Sequence, residues 1–185
     1  CAHSVLLWRR VTMIKGILCG KGGHGIITLN QIIGVLASDL GHDVISAETH
    51  GMAMRGGSVA TFIKIGGYVS PSIARGDADF VLSMDLDEAL RNFDYLKHGG
   101  CCIVNTRLPF EFPAGFRVMQ LDAAAEARRD FKNRHAAGQI LLGCLFGIFA
   151  DVFPPGKIFP ALEKNRRILR DAVKYGIARS AHAPS

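Results

Sequence analysis

Apolar and polar positions follow two different rhythms along this chain. Residues 14–19 are a short, almost unbroken apolar run, the pattern of a strand buried on both faces. Gly20-Lys21-Gly22-Gly23-His24-Gly25 interrupts it. From Ile26 apolar residues recur at Leu29, Ile32, Ile33, Leu36, Ala37 and Leu40, the spacing of a helix, which Gly41 stops. Residues 43–48 predict a second strand. The order strand, glycine loop, helix, strand favours an α/β domain with a parallel sheet.

The next stretch departs from ordinary winding. Residues 49–57 are too short and glycine-rich for a crossover helix, so a loop joins the second strand to a third at 58–65. That third strand is expected to be antiparallel or at an edge. Further strands are expected at 78–84, 101–105 and 116–121, with a helix over 86–96. The C-terminal third reads helical. Residues 133–149 are apolar almost all round, which predicts a buried central helix. Its Gly143 and Gly147 suit close packing, and the sheet is the expected neighbour rather than a second copy. After Pro154-Pro155-Gly156 breaks the chain, a last helix over 158–177 places Ile158, Leu162, Leu169, Val173 and Ile177 inward. Lys164, Arg166, Arg167, Arg170 and Lys174 then form a solvated face.

Composition fits one folded, soluble domain. The chain has 185 residues, 49% hydrophobic and 21% charged, with no repeats. The domain is expected over 13–180, with an N-terminal extension at 1–12 and a tail at 181–185. Twenty-two basic against sixteen acidic residues give a formal charge of +6, which suits anionic partners without naming one. No aromatic-interleaved basic motif supports nucleic-acid binding. No apolar stretch approaches the ~20 residues that span a membrane. The odd set Cys1, Cys19, Cys101, Cys102 and Cys144 reads as reduced thiols of a cytoplasmic protein.

Gly20 to Gly25 satisfies G-x-G-x-x-G between a strand and a helix, where backbone amides receive an anion. Glu48 ends the second strand, where a ribose-binding acid would stand, so a stand-alone NAD(P)-binding oxidoreductase is a live reading. A nucleotide-sensing module and a tight turn without ligand are two others. No Walker, protease or zinc spacing is present, and His24, His50 and His135 form no local metal cluster. Arg55-Gly56-Gly57 suits a guanidinium fork beside open backbone amides, for phosphate or carboxylate. Equally, Arg55 suits pinning a neighbouring loop or subunit. With the first two strands adjacent and parallel, Lys21, His24, His50 and Arg55 would converge on one basic cleft at the carboxyl edge of the sheet.

Gly-x-Gly-Gly-His-Gly, then Arg55-Gly-Gly-Ser-Val, then Gly76-Asp-Ala-Asp79 occur in that order. In them the sequence resembles the gamma-type subunit of the 2-oxoacid:ferredoxin oxidoreductases, most of all the small, beta-type subunit of the indolepyruvate branch. Met54, His24, Gly138 and Asp85 depart from the usual pattern. The resemblance implies a Rossmann-like three-layer sandwich with a mostly parallel sheet. It also implies a role in oxidising a 2-oxoacid, with indolepyruvate or another arylpyruvate preferred, to an acyl-CoA. Thiamine diphosphate and 4Fe-4S clusters are expected on a large partner subunit that passes electrons to ferredoxin. This chain would bind no cofactor and would be inactive alone, free to homodimerise when isolated. Coenzyme A is the co-substrate. The residues Gly20, Lys21, Gly22, Gly23, His24, Gly25, Glu48, His50, Arg55, Gly56 and Gly57 either hold it or form a subunit interface.

Overall fold

The computed structural model describes residues 13–49, 56–164 and 168–181. Six strands form one sheet in the order β2-β3-β1-β4-β5-β6. They are β1 (Ile14–Lys21), β2 (Val44–Thr49), β3 (Ser58–Ile65), β4 (Ala78–Ser83), β5 (Leu96–Asn105) and β6 (Arg117–Leu121). β1, β4, β5 and β6 pair in parallel, whereas β3 runs antiparallel to both of its neighbours. The third strand is therefore antiparallel as expected, but it is interior and β2 is the edge. Strands one and two are parallel without being adjacent, because the short loop after β2 can only return the chain alongside it.

Each central strand is apolar on both sides because both faces are covered. Leu18, Ile63, Phe80, Leu82 and Ile103 face the larger core, which is closed by helices α1 (Ile26–Asp39), α4 (Ala136–Ile148), α5 (Pro155–Lys164) and α6 (Arg170–Ser180). Ile17, Cys19, Val81, Cys102 and Val104 face the other side. There they pack with Ile73, with Ala89 of α2 (Leu86–Asn92) and with the aromatic rings of Phe93, Phe112 and Phe116.

Several boundaries differ from the sequence expectation. The expected last helix is two helices, α5 and α6. Pro155 opens α5, a position where its missing N–H costs nothing. Arg166 and Arg167 lie outside the described residues. A further helix, α3 (Ala123–Asp130), precedes α4. Its only apolar residues are alanines, so periodicity hides it, and the Asp122 carboxylate caps it by accepting from the Ala125 amide at 2.8 Å. Gly143 and Gly147 face α6 rather than the sheet. A Cβ on Gly143 would stand 2.1 Å from the Val173 carbonyl oxygen, and one on Gly147 would stand 1.9 Å from the Ser180 hydroxyl.

Candidate functional site

β1 ends in a closed turn. The His24 amide donates to the Lys21 carbonyl at 3.0 Å, and the Lys21 amide donates to His24 Nδ1 at 3.2 Å. Gly23 and Gly25 have φ of 97° and 77°, left-handed values that glycine adopts without strain. Gly25 caps α1, whose first turn holds no acidic residue. Gly20 lets the strand end lie on the helix start, since a Cβ there would stand 2.9 Å from the Ile26 side chain. The second glycine motif joins this turn directly: the Gly22 amide donates to the Gly57 carbonyl at 2.8 Å.

Beside the turn opens a cleft of about 470 Å³. The lining takes Gly23, His24, Gly25 and Thr28 from the glycine turn and start of α1, Arg128 from the last turn of α3, and Arg134, His135 and Gly138 from the start of α4. Leu29, Ile32 and Ala137 supply apolar surface, and Met84, Asp85 and Asn105 mark the carboxyl ends of β4 and β5. The chain leaves β1 towards one side of the sheet and β4 towards the other, so the cleft lies at the crevice where open α/β folds take ligands. Asn105 ties its rim, with its side-chain amide donating to the Met84 carbonyl at 3.2 Å and its oxygen accepting from the Ala124 amide at 3.0 Å.

The electrostatics favour an anion. Among the described residues, neither Arg128 nor Arg134 pairs with a carboxylate. The first turn of α4 carries no acid, which suits a negative charge there, while Asn133 accepts from the His135 amide through its side-chain oxygen at 2.9 Å and from the Ala136 amide through its carbonyl at 3.0 Å. Among the described residues Asp85 is the one carboxylate on the lining. Its Oδ2 is held by Lys21 at 2.9 Å, and its Oδ1 is buried without a hydrogen-bond partner. The arrangement suits a ligand with phosphate groups, an apolar portion and a donor for Asp85.

The residues expected in the site separate into groups. Gly23, His24 and Gly25 line the cleft, while Gly20 and Gly22 support the turn, Gly57 bonds to it, and Gly56 directly precedes Gly57. Lys21 does not join them. Strand alternation sends its side chain to the α2 face, where Asp85 and Asp87 hold it at 2.9 and 3.4 Å. The hydrogen bond to Asp85 raises the lysine above its ordinary pKa. Glu48 is displaced too. With β3 inserted, β2 stands two strand spacings from β1, about 10 Å, so Glu48 is not beside the glycine loop as a ribose acid would be. His50, Met54 and Arg55 lie outside the described residues. Sequence reasoning missed Arg128, Arg134, Asn105 and Gln139 as cleft residues and gave His135 no binding role. They lie at element ends, Asn105 closing β5, Arg128 in the last turn of α3, and Arg134 and Gln139 before and within the first turn of α4, and Arg128 is readable only once α3 is recognised.

Cys19, Cys101, Cys102 and Cys144 are free thiols buried in the two cores. Among the described residues no three His, Cys, Asp or Glu side chains gather as a metal site would need, so these residues do not fit an iron–sulfur cluster. No described helix is long and apolar enough to cross a membrane.

Residues 16–175 match the family model described as pyruvate ferredoxin/flavodoxin oxidoreductase. The chain is 42% identical to the indolepyruvate oxidoreductase subunit IorB of Archaeoglobus fulgidus, over 74% of this chain and 78% of that one. It is 36% identical to the IorB subunit of Methanothermobacter thermautotrophicus, over 65% and 66%. In fold it is similar to the gamma subunit of a keto/oxoacid ferredoxin oxidoreductase from Geobacter sulfurreducens. The TM-score is 0.74 at 21% identity, covering 92% of this chain and 99% of that one. A second similar structure is the 2-oxoglutarate:ferredoxin oxidoreductase from Magnetococcus marinus with 2-oxoglutarate, coenzyme A and succinyl-CoA bound. There the TM-score is 0.75 at 19% identity, over 93% of this chain and 32% of that one. With most of its length matched by one family model, and relatives of the same kind at this identity, the chain belongs to the pyruvate ferredoxin/flavodoxin oxidoreductase family.

Proposed function

We propose that this chain is the small subunit of an indolepyruvate, or related arylpyruvate, ferredoxin oxidoreductase. It forms the wall that receives the phosphates of coenzyme A. The observation that carries this reading is the cleft between the glycine turn and the start of α4, with Arg128, Arg134, His24 and His135 around an apolar floor. The family description and the IorB relatives support the reaction class. In that reaction the 2-oxoacid and the coenzyme A thiol give an acyl-CoA and carbon dioxide, the thiol proton is released, and two electrons pass to ferredoxin. Thiamine diphosphate and iron–sulfur clusters supply the decarboxylation and electron transfer from a large partner subunit. The residues of this chain bind and orient: the arginines neutralise phosphate charge, and the apolar floor shields the pantetheine arm from water.

The test is anaerobic co-purification with this chain as bait. A brown large subunit that reduces viologen with indolepyruvate only when coenzyme A is present is the expected result. A colourless bait with no partner, whose melting temperature rises with NAD(H), would overturn the proposal in favour of a nicotinamide-binding oxidoreductase.

A further inference from the structure

Asp85, Asp87 and Glu88 stand together at the start of α2. The first two take the Lys21 ammonium. Glu88 serves a different element. It is only 2% exposed, and its Oε2 accepts from the Ser58 hydroxyl while its Oε1 lies 3.5 Å from Arg91 Nη1. The turn that carries it is itself fixed. The Glu88 carbonyl accepts from the Asn92 side-chain amide at 2.9 Å and from the Cys19 thiol at 3.4 Å. A carboxylate is kept in such a place only where specific bonds offset its lost hydration.

Ser58 is what Glu88 reaches for. It lies directly opposite Lys21 in the β1–β3 ladder, and both side chains point to the α2 face. Gly57, just before it, accepts from the Gly22 amide at 2.8 Å. Gly56 and Gly57 have no side chains to hold them, and Gly56 has a left-handed φ of 96°. Ser58 is thus the first side chain after the glycines to anchor that segment. A continuous series of bonds runs from Glu88 through Ser58 and Gly57 to Gly22, crossing the sheet from α2 to the turn that walls the cleft.

We infer that Glu88 is a positioning residue for the cleft: through Ser58 it holds Gly56 and Gly57 against the glycine turn and so fixes where that turn presents Gly23 to Gly25. Glu88 touches no ligand itself. The inference rests on the reading of the cleft as the coenzyme A wall.

The test compares Glu88→Ala, Glu88→Gln and Ser58→Ala in the assembled complex. Hydrogen exchange is followed over residues 20–25 and 56–60, together with KM for coenzyme A and for the 2-oxoacid. Glu88→Ala is expected to speed exchange in both segments and to raise KM for coenzyme A roughly tenfold, the weight of one hydrogen bond to a charged group. KM for the 2-oxoacid stays unchanged, as does kcat at saturating coenzyme A. Glu88→Gln keeps an oxygen for Ser58 and should stay within about twofold of wild type. Ser58→Ala should repeat the Glu88→Ala result, with the double variant no worse than either single one. It also decides the matter where Glu88→Ala fails to assemble, since it removes only a hydroxyl. Wild-type exchange in both segments overturns the inference; so does a fall in melting temperature that leaves KM for coenzyme A unchanged. A wild-type complex whose turnover ignores coenzyme A overturns the reading of the cleft instead, and the exchange rates still decide the role of Glu88.

Discussion

Gly143 and Gly176 bring two helices into backbone contact. A Cβ on Gly143 would stand 2.8 Å from the Gly176 Cα, and one on Gly176 would stand 2.0 Å from the Ile140 carbonyl oxygen. α4 and α6 cannot accept a methyl group at either position without moving apart. Gly143→Ala is therefore expected to cost about 3 kcal/mol of stability, seen as a lower Tm. Gly156→Ala is the control, because a Cβ there meets nothing within 4 Å.

Arg128 and Arg134 both line the cleft with no carboxylate partner among the described residues. Substituting either by Ala should raise KM for coenzyme A about fivefold in the complex, with kcat at saturation unchanged. The loss should shrink as salt is added, because these exposed charges are screened. Steady-state kinetics at two ionic strengths checks both statements.

Burial pushes the Cys19 and Cys144 thiols up to about 12 and the Cys101 thiol to about 11, and it raises Cys102 as well. At pH 8 almost none of these groups is thiolate, so iodoacetamide should label none of the four until the protein unfolds. Mass spectrometry before and after denaturation counts them. The same shifts set a pH dependence. The unfolded thiols ionise near 9.0, below the folded values, so the folded state holds more protons above that pH. Stability should be flat below about pH 9 and decline as pH rises towards the folded values. Melting curves from pH 7 to 11 would show it.

Asp79, from the Gly-Asp-Ala-Asp motif, works far from the cleft. Its Oδ2 accepts from the Lys15 backbone amide at 2.7 Å, and its Oδ1 pairs with the Lys97 ammonium. It thus clamps the starts of β1 and β5 to β4. Asp79→Ala leaves the Lys15 amide without its acceptor and is expected to cost about 2 kcal/mol in urea denaturation. Asp79→Asn, which keeps an oxygen, should cost less.

The strands and α1 were legible because buried strands and an amphipathic helix have distinct periods, and Leu29, Ile33 and Leu36 keep the helical one without a break. Sheet order was not legible. The insertion of β3 between β1 and β2 depends on long-range pairing such as Leu18 with Thr61, which no local pattern encodes. That one insertion separates Glu48 from the glycine turn. In the site, the turn was readable from its glycines, but the direction of Lys21 depends on strand alternation through the end of β1, which turns it towards Asp85 and Asp87 at the start of α2. Arg128 lies in the last turn of α3, a helix that periodicity did not reveal, since Ala123, Ala124 and Ala125 carry almost no hydrophobic contrast, and Arg134 lies just before α4.

The cleft is assembled from parts of the chain that are remote in sequence: the turn at Gly23, the strand ends at Met84 and Asn105, and the helix start at Gln139. No fragment that omits the C-terminal half contains both walls, so the cavity exists only after the slow, non-local contacts of folding are complete. A molecule seated there acts as a reversible cross-link between the two halves. Its binding free energy is added to the cohesion of the whole unit rather than to one loop. With coenzyme A seated there as proposed, its supply is expected to be linked to the integrity of this chain, and starvation for it to leave the least-bridged form of the protein.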